Sequence, residues 1–320
     1  MDDILAPRFI DPVAARKYLE ALRWPDGAEC PHCSLVTATP IKGGRDGLYQ
    51  CNSCREQFTV TVGTLFEKSK IPINKWLLAN HLLCASKKGM SAAQIGRMLG
   101  VSYKTAWFMM HRIREAIKPV DPTSMGGPGK IAEADEAFVG GKQSNRAYRK
   151  TSPKKKIVSL VERGGRARSF HVANIHANNV RGALVANIDR ASSLMTDEAR
   201  IYWSVGKEFA RHGHTLHAGR HYAKGDVHSN TAENFFSILK RGVIGTYYHW
   251  SAVHIRRYLA EFDFRYSTKD ISDRERAGIA LFGIGGKRLT YRRTDKLAAQ
   301  LFCCCVPHRR TPQVLDSRLS

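Results

Sequence analysis

Two Cys-x-x-Cys pairs stand near the start of this 320-residue sequence, Cys30 with Cys33 and Cys51 with Cys54, and 17 residues separate them. Each such turn places two thiolates on one side of a tight loop, and two turns complete a tetrahedral zinc site. Four thiolate ligands leave zinc no open position, so the spacing predicts one structural zinc ion. The alternative is unrelated core cysteines or a redox pair, which needs one Cys-x-x-Cys in a thioredoxin-like unit.

Three carboxylates in the second half of the chain form another pattern. Asp135 lies within a β-rich run, Asp197 at the end of a later one, and Glu233 in a segment with helical periodicity. Adjacent strands and a crossing helix can bring these oxygens together, and they would suit two Mg²⁺ or Mn²⁺ ions about 3.5–4 Å apart. Lys240 follows Glu233 by two helical turns on the same face, so we expect it to point toward bound phosphate.

Neighbouring polar groups provide alternatives to these ligands. Alternation along a strand puts Glu133 on the same face as Asp135 and Glu136 on the opposite face, so Glu133 is the rival ligand. His221 and His228 are interpreted as DNA contacts or as support for the site, because histidines near phosphate more often bond phosphates or carbonyls.

The segment after the cysteine pairs has the punctuation of a helix-turn-helix. A helix is predicted over 74–87, Ser91 and Ser102 can cap two further helices, and Gly100 supplies the turn between them. Burial of Ala106, Met109 or Met110, and Ile113 would leave one face of the last helix for a DNA major groove. The residues expected on that face are Tyr103, Lys104, Thr105 and Arg112. An ordinary helical hairpin is the alternative.

The chain is strongly basic, with a formal net charge of +23 and a pI of about 9.9. Such a charge excludes a generic acidic enzyme and favours a polyanionic partner, for which we predict double-stranded DNA. Ten Lys and Arg residues lie between 141 and 168 against one acid, so this run is expected to follow DNA phosphates rather than form only a solvated face. The predicted DNA contacts here are Lys154, Lys155 and Lys156, with Arg241 beside Lys240.

No signal peptide or lipidation motif opens the chain, and its longest uncharged apolar stretches, 76–86 and 277–286, fall short of the ~18 residues that a membrane span needs. We therefore expect a cytoplasmic protein without a membrane partner.

The elements that must position the acids follow a recognisable order. Strands are predicted over 131–139, 156–161, 169–175 and 193–197, with a helix over 178–188 before the last strand and a long helix later. This is the order of the ribonuclease H-like fold. In the first half, short strands are predicted over 48–50 and 58–62. The predicted domains are an N-terminal helix and zinc ribbon (1–62), the helix-turn-helix region (63–120), a linker (121–129), the ribonuclease H-like domain (130–292) and a tail of unknown role (293–320).

Several motifs together carry a family resemblance. They are Cys-Pro-His-Cys at 30–33, Tyr-Gln-Cys-Asn-Ser-Cys at 49–54, Ala-Asp-Glu-Ala-Phe-Val-Gly-Gly-Lys at 134–142, Thr-Asp-Glu at 196–198, Gly-Asp-Val-His-Ser-Asn-Thr-Ala-Glu-Asn-Phe-Phe at 225–236, Leu-Lys-Arg-Gly at 239–242 and Gly-Thr-Tyr-Tyr-His-Trp-Ser at 245–251. Over roughly residues 10 to 292 the chain resembles bacterial insertion-sequence transposases of the DDE class, in the group with a zinc ribbon and an ISXO-type catalytic domain.

The resemblance implies metal-dependent DNA cleavage at the element's ends and transfer of the freed 3′ ends to target DNA, with the chain acting as a homo-oligomer on DNA. It implies that Asp135, Asp197 and Glu233 bind the metals and that Lys240 is the basic residue after the third acid. Members of the family carry either Glu or an amide at the third position, so Asn230 is the alternative there.

Two other functions stay open on sequence alone. A DNA-binding regulator would use only the ribbon and the helix-turn-helix, and a catalytically silent transposase remnant would bind DNA without cutting it. The tail from 301 to 320, with Cys303, Cys304 and Cys305, lacks metal-ligand spacing and matches no familiar pattern.

Overall fold

The computed structural model describes residues 4–119, 123–140, 154–215 and 226–290. The helices are α1 (Pro7–Ile10), α2 (Pro12–Arg23), α3 (Ile73–Ala85), α4 (Ala92–Leu99), α5 (Tyr103–Ala116), α6 (Ala177–Asn187), α7 (Trp203–Gly206), α8 (Asn230–Gly242), α9 (Ile255–Ser267) and α10 (Asp273–Phe282). The strands are β1 (Ala38–Pro40), β2 (Tyr49–Cys51), β3 (Gln57–Phe58), β4 (Ile131–Val139), β5 (Lys155–Glu162), β6 (Ala167–Val172), β7 (Ser193–Thr196) and β8 (Arg211–His214). Predictions for 121–122, 141–153, His221 and 293–320 fall outside the described residues.

The cysteine-rich segment forms a small antiparallel sheet in the order β1-β2-β3. Trp24 from the end of α2 packs its ring edge against Tyr49 and Phe58, at centroid distances of 5.4 and 5.7 Å. The strand predicted over 58–62 is shorter than expected, because the chain turns after Phe58 and the Val62 N–H donates to the Thr59 carbonyl at 3.0 Å. The aromatic core is therefore small, as the sequence predicts for a zinc ribbon.

The helix-turn-helix prediction is confirmed in its local details. The Ser91 hydroxyl accepts from the Gln94 N–H and caps α4, and the Ser102 hydroxyl accepts from the Thr105 N–H and caps α5. Gly100 between them has φ of 61°, the left-handed conformation that glycine adopts without steric cost. The buried residues of α5 include Ala106, Met109, Met110 and Ile113.

The larger sheet has five strands in the order β6-β5-β4-β7-β8. Strands β4, β5 and β6 are antiparallel neighbours, whereas β7 runs parallel to β4, and β8 runs parallel to β7. This topology is that of the ribonuclease H-like fold, so the predicted fold class is confirmed. Strand β8, which the sequence did not predict, extends the sheet beyond β7.

Both faces of this sheet are covered, so residues of both orientations are buried along its central strands β4 and β5. Ala137 and Ile157 belong to a core shared with α8 and α9. Ala134 and Val158 belong to a second core shared with α6 and the segment around Tyr202. Strand β4 thus presents side chains to helices on both sides.

Two features bear on the domain boundaries, which stay a proposal. Leu281 at the end of α10 lies in the same core as α3 and α5, and the Asn80 side chain donates to the Ala277 carbonyl at 2.9 Å. In the predicted linker, Met125 is fully buried and its N–H donates to Asn187 at 2.8 Å. Helix α10 therefore packs on the N-terminal half. Across the described ranges, no helix has both the length and the apolar character to cross a bilayer.

Candidate metal centres

The four predicted zinc ligands converge on one point. The sulfur atoms of Cys30, Cys33, Cys51 and Cys54 all lie within 4.8 Å of one another. The Cys30 and Cys54 sulfurs are 3.6 Å apart, as are those of Cys33 and Cys51. Tetrahedral zinc with Zn–S bonds of about 2.3 Å requires S···S separations of about 3.8 Å. The arrangement therefore fits a structural zinc site.

The two cysteine turns have the same backbone geometry. Ser34 follows Cys30 by four residues and Arg55 follows Cys51 by four; their φ angles are 59° and 65°, and each donates its N–H to the carbonyl of the first cysteine. The Cys51 thiol also accepts from the backbone N–H groups of Cys54 and Ser53, which lower its pKa to about 6. Hydrogen bonds of this kind favour the thiolate, the form that binds zinc.

The second centre is a cluster of carboxylates at the end of β7. The ligand oxygens of Asp135, Glu136 and Asp197 lie within 4.8 Å of one another. Strands β4 and β7 pair in parallel through Glu133 and Met195, so two further residues in that register bring Asp197 beside Asp135. The structure thus brings together the first two predicted acids across adjacent strands.

Glu136 belongs to this cluster although alternation along β4 points it to the opposite face. Strand β7 ends at Thr196, and its pairing with β4 ends at Glu133 and Met195. Beyond that point the side of β4 toward β7 is unpaired, so side chains from both faces of β4 can reach Asp197. The Tyr202 hydroxyl donates to Glu136. The sequence predicted neither the place of Glu136 in the cluster nor its hydrogen bond from Tyr202. The available signal was that Glu136 is adjacent to Asp135, which was expected to bind metal.

The cluster carries an excess of negative charge. Burial, together with the nearby Asp197 and Glu233 carboxylates, raises the pKa of Asp135 to about 6. Burial, together with the nearby Asp197 and Asp135 carboxylates, raises the pKa of Glu136 to about 7, while the hydrogen bond from Tyr202 opposes that shift. Among the described residues, no Lys or Arg forms an ion pair with these acids. Divalent cations binding hard oxygen ligands would remove the repulsion.

Glu133, the rival ligand, has a different environment. Its side chain is fully buried, and its Oε1 atom accepts from Arg163 Nε at 2.6 Å. Its Oε2 atom accepts from the backbone N–H groups of Thr231 and Ala232 at 2.8 and 2.9 Å. These are free donors in the first turn of α8, so the carboxylate caps that helix from the sheet. Its bonding is thus that of a structural residue.

The helix-borne candidates lie in the first and last turns of α8. Glu233 is exposed and accepts a hydrogen bond from the Ser229 hydroxyl at 3.2 Å. Glu233 and Lys240 both act electrostatically on Asp135, so α8 faces the carboxylate cluster. Glu233 lies outside the tight group of three, and Asn230 is exposed at the first residue of the helix. Which of the two supplies the third ligand stays a prediction.

The predicted DNA-reading residues fall into two groups. Tyr103 is 60% exposed, Lys104 is exposed, and Thr105 bonds to Ser102 at the helix cap. Arg112 instead lies among intramolecular partners. Its guanidinium is 4.8 Å from the Phe108 ring and its Nε donates to the Leu289 carbonyl at 3.3 Å. The exposed groups of this helix are thus at its N-terminus.

The other predicted phosphate contacts lie at or just before the start of β5 and on α8. Lys154 is exposed, whereas Lys155 is partly buried and its pKa is lowered by that burial. Lys156 donates to the Asn174 side chain at 2.9 Å. Arg241 is exposed on α8 and donates to the Ser237 carbonyl one turn earlier. His228 lies beside Glu133 and accepts from Arg163 through its carbonyl, a supporting position rather than a place in the cluster.

Comparison with known proteins adds independent findings. Residues 128–267 match the family described as ISXO2-like transposase domain, and residues 11–57 match the transposase zinc-ribbon domain. An uncharacterized protein in transposable element ISH50 of Halobacterium salinarum is 27% identical over 251 residues, which cover 73% of this chain and 83% of that protein. The two family matches together span more than half of the chain and coincide with the two metal centres.

Solved structures of low similarity are also found. Mos1 transposase, in a paired-end complex with the left transposon end, is 13% identical with a TM-score of 0.30, covering 61% of this chain and 70% of that one. A chain of the simian T-cell lymphotropic virus intasome in complex with PP2A regulatory subunit B56 gamma is 14% identical with a TM-score of 0.27, covering 75% and 80%.

Proposed function

Because the chain belongs to the transposases that combine a zinc ribbon with an ISXO2-like domain, we propose that it binds the ends of an insertion sequence, cleaves the DNA there and joins the freed 3′ ends to target DNA. The observation that carries this proposal is the convergence of Asp135, Glu136 and Asp197 at one strand end, with Glu233 and Lys240 of α8 within electrostatic reach.

The donor set suits Mg²⁺ or Mn²⁺, because these ions prefer carboxylate oxygens and neutralise the repulsion that raises the pKa of Asp135. Asp135 and Asp197 would hold two ions, with Glu233 or Asn230 completing the site from α8. When bound, divalent ions activate the attacking hydroxyl and stabilise the leaving oxygen of an in-line displacement.

The remaining residues orient the site. Glu133 caps α8 from β4 and so determines where Glu233 and Lys240 lie relative to the cluster. Tyr202 holds Glu136 through its hydroxyl. Lys240, exposed on α8, would contact the phosphate next to the scissile bond. Tyr103 and Lys104, at the exposed N-terminus of α5, would enter the major groove, with Lys154, Lys155, Lys156 and Arg241 along the phosphates.

A homo-oligomer follows from the geometry of the reaction. An insertion sequence has two ends, and the described part of one chain holds one carboxylate cluster beside α8. Two copies would therefore place one cluster at each end. The protein would carry one structural zinc per chain in addition to the divalent ions.

The decisive experiment measures cleavage of a labelled DNA carrying the element's end, with Mg²⁺, with Mn²⁺ and with neither, at saturating protein. Asp135→Asn and Asp197→Asn should each reduce cleavage by at least about a thousandfold while binding the DNA like the parent, because they remove ligand charge without altering α5. Asp270→Asn, which removes an exposed acid elsewhere, is the matched control.

The third position needs its own pair of variants. Glu233→Ala and Asn230→Ala should differ, and the larger loss of cleavage identifies the third ligand.

Full cleavage by Asp135→Asn would refute the assignment of the site. DNA binding by the parent without any metal-dependent cleavage would instead support a silent remnant or a regulator.

A further inference from the structure

Two highly exposed side chains with apolar surface lie just beyond the end of α8. Ile244 is 73% exposed and Tyr248 is 80% exposed, more than any other large apolar side chain in the described ranges. The first lies in a π-helical turn, Val243–Tyr247, that continues α8, and the second follows that turn directly. We call residues 243–248 the tip. Apolar side chains scattered singly are ordinary, whereas two neighbours at one helix end indicate a contact surface.

The backbone at Tyr248 is strained. Its φ is 57° and its ψ is −40°, a combination that a bulky residue seldom adopts. The Tyr248 N–H donates to the Val243 carbonyl at 2.7 Å and closes the turn. A glycine, which has no Cβ, would take this conformation at lower steric cost. Because the tyrosine ring points largely into solvent, a role outside the fold explains why it occupies this position.

Buried residues on either side hold the tip in place. The Tyr247 hydroxyl donates to the Glu261 carboxylate at 2.6 Å. The buried Trp250 ring stacks on Tyr258, with ring centres 5.1 Å apart. These anchors lie one residue before Tyr248 and two residues after it. An element that is already ordered loses little conformational entropy when it inserts into a partner.

The surroundings of the tip are positively charged. Residues 234–260 contain four Lys or Arg residues and no Asp or Glu. Lys240 and Arg241 are exposed shortly before the tip. Lys87 and Lys88 are also exposed, and a Cβ added at Gly242 would lie 2.9 Å from the Lys88 carbonyl oxygen, so this turn packs at the base of the tip. Apolar side chains among cations complement duplex DNA, whose stacked bases lie between two rows of phosphates.

The exposed face of α8 leads from the carboxylate cluster to the tip. Glu233, Lys240 and Arg241 are exposed along it, and Lys240 acts electrostatically on Asp135. Tyr248 follows Glu233 by 15 residues. At about 1.5 Å per helical residue this is roughly 20 Å, the length of about six base pairs of a duplex that follows this face.

We propose that the tip is a wedge for duplex DNA, in which Tyr248 and Ile244 insert between two base pairs about six positions from the scissile phosphate. Lys240 and Arg241 hold the phosphates on the same side. Such a wedge unstacks one base step and bends the duplex, which lets the protein contact more of the DNA. The inference rests on the proposed function, since it takes the same DNA as the partner, but it concerns DNA shape and can fail independently of cleavage.

The test uses duplexes of the element's end that carry 2-aminopurine, a base whose fluorescence rises when it is unstacked, at successive single positions. The full chain is added without divalent metal, so that the DNA stays intact. With the parent, fluorescence should rise at one step about six base pairs from the cleavage site and stay constant at the other steps.

Tyr248→Gly is the main variant, because it removes the ring and relieves the backbone. It should melt close to the parent, since the exposed ring contributes little packing, yet lose the fluorescence signal and bind the duplex about tenfold more weakly. Ile244→Ser should reduce the signal by a smaller factor. Ile10→Ser, at an isoleucine of α1 that is 60% exposed, is the matched control and should keep the signal.

An undiminished signal in Tyr248→Gly, or a parent complex without an unstacked step, would overturn the proposal. If Tyr248→Gly keeps the signal but lowers the molar mass of the DNA-free protein, the tip contacts a second copy of the chain instead. Asp135→Asn should give the parent's signal without cleaving. A parent that cleaves DNA without unstacking it refutes the wedge alone, one that unstacks DNA without ever cleaving it refutes the proposed cleavage alone, and absence of DNA binding refutes both.

Discussion

The sulfur centre and the carboxylate centre are both arranged for metal, but they are assembled over different spans of chain. The four cysteines lie in two turns of similar geometry, one before β1 and one between β2 and β3, with Cys30 and Cys54 only 24 positions apart. The carboxylates come from β4 and from the end of β7, which are joined through two strands and a helix. A local site can be recognised from spacing, whereas a site at a strand end depends on register and on where the neighbouring strand stops.

Within β4, two acids two residues apart differ in how their negative charge is balanced. Glu133 accepts from Arg163 and from the first turn of α8, so its charge is balanced by protein groups. Asp135 has carboxylates as its near neighbours and its pKa is raised to about 6. A balanced carboxylate stabilises the fold, whereas an unbalanced one is prepared for a cation.

Removing a zinc ligand should have the largest effect on folding. Cys51→Ser should abolish zinc binding and unfold residues 25–62, because structural zinc in small domains contributes about 10 kcal/mol or more to folding. Metal analysis and the fluorescence of Trp24, which packs on Tyr49 and Phe58, would report the loss. Cys84→Ala, at a buried cysteine elsewhere, should retain one zinc. A Cys51→Ser protein with full zinc content would contradict the assignment.

The contrast within β4 predicts opposite results from the same chemical change. Glu133→Gln should destabilise the protein by about 3 kcal/mol, because it removes the charge that pairs with Arg163, and one amide oxygen cannot replace both carboxylate oxygens toward Arg163 and the first turn of α8. Glu136→Gln should leave stability unchanged or raise it when divalent metal is withheld, since the amide can still accept from Tyr202 and the repulsion is reduced. Urea unfolding of the zinc-loaded variants measures both. Equal losses would show that the two acids play the same structural role.

Lys104 and Arg112 of α5 should separate DNA contact from packing. If Lys104 contacts a phosphate, Lys104→Ala should lower the slope of log affinity against log salt by about one unit. If Lys104 reads a base, the variant should lose ~1–3 kcal/mol of binding free energy on the cognate end and not on a scrambled duplex. Arg112→Ala should instead reduce stability by about 1–2 kcal/mol through lost contact with Phe108 and Trp76. Titration of both variants against the element end and a scrambled duplex, with melts, distinguishes these roles. If Arg112→Ala loses sequence preference while its stability is unchanged, Arg112 contacts DNA bases rather than packing within the protein.

The smallest expected effect concerns a carboxyl group whose pKa is raised by burial alone. Asp263 accepts from the N–H and hydroxyl of Ser169, and burial raises its pKa from 3.8 to about 7. Between these values the folded state binds more protons than the unfolded state, so this group lowers stability as pH rises through that window. Asp263→Asn should flatten the dependence of unfolding free energy on pH from about 4 to 7. An unchanged slope would assign that dependence to other acids.

Local punctuation explains how much of the fold was predictable. The caps at Ser91 and Ser102, the left-handed Gly100 and the bounds of β4 follow from residues that act within one turn or one strand, and each agrees with the structure. The shortened β3 ends where the chain turns after Phe58, whereas the unpredicted β8 depends on pairing with β7, and pairing of that kind leaves a weak local pattern.

The sequence by itself determined the two cysteine turns of the zinc ribbon, the helix-turn-helix and the order of elements that brings Asp135 and Asp197 to adjacent strands, because spacing, capping and periodicity are properties of the nearby chain. Only the tertiary structure decided that Glu133 caps α8 while Glu136 joins the cluster, and that Arg112 packs against aromatic rings. Each of these depends on contacts between residues far apart in sequence, where the register of β7 and the packing of α8 and α9 determine which polar groups find a partner.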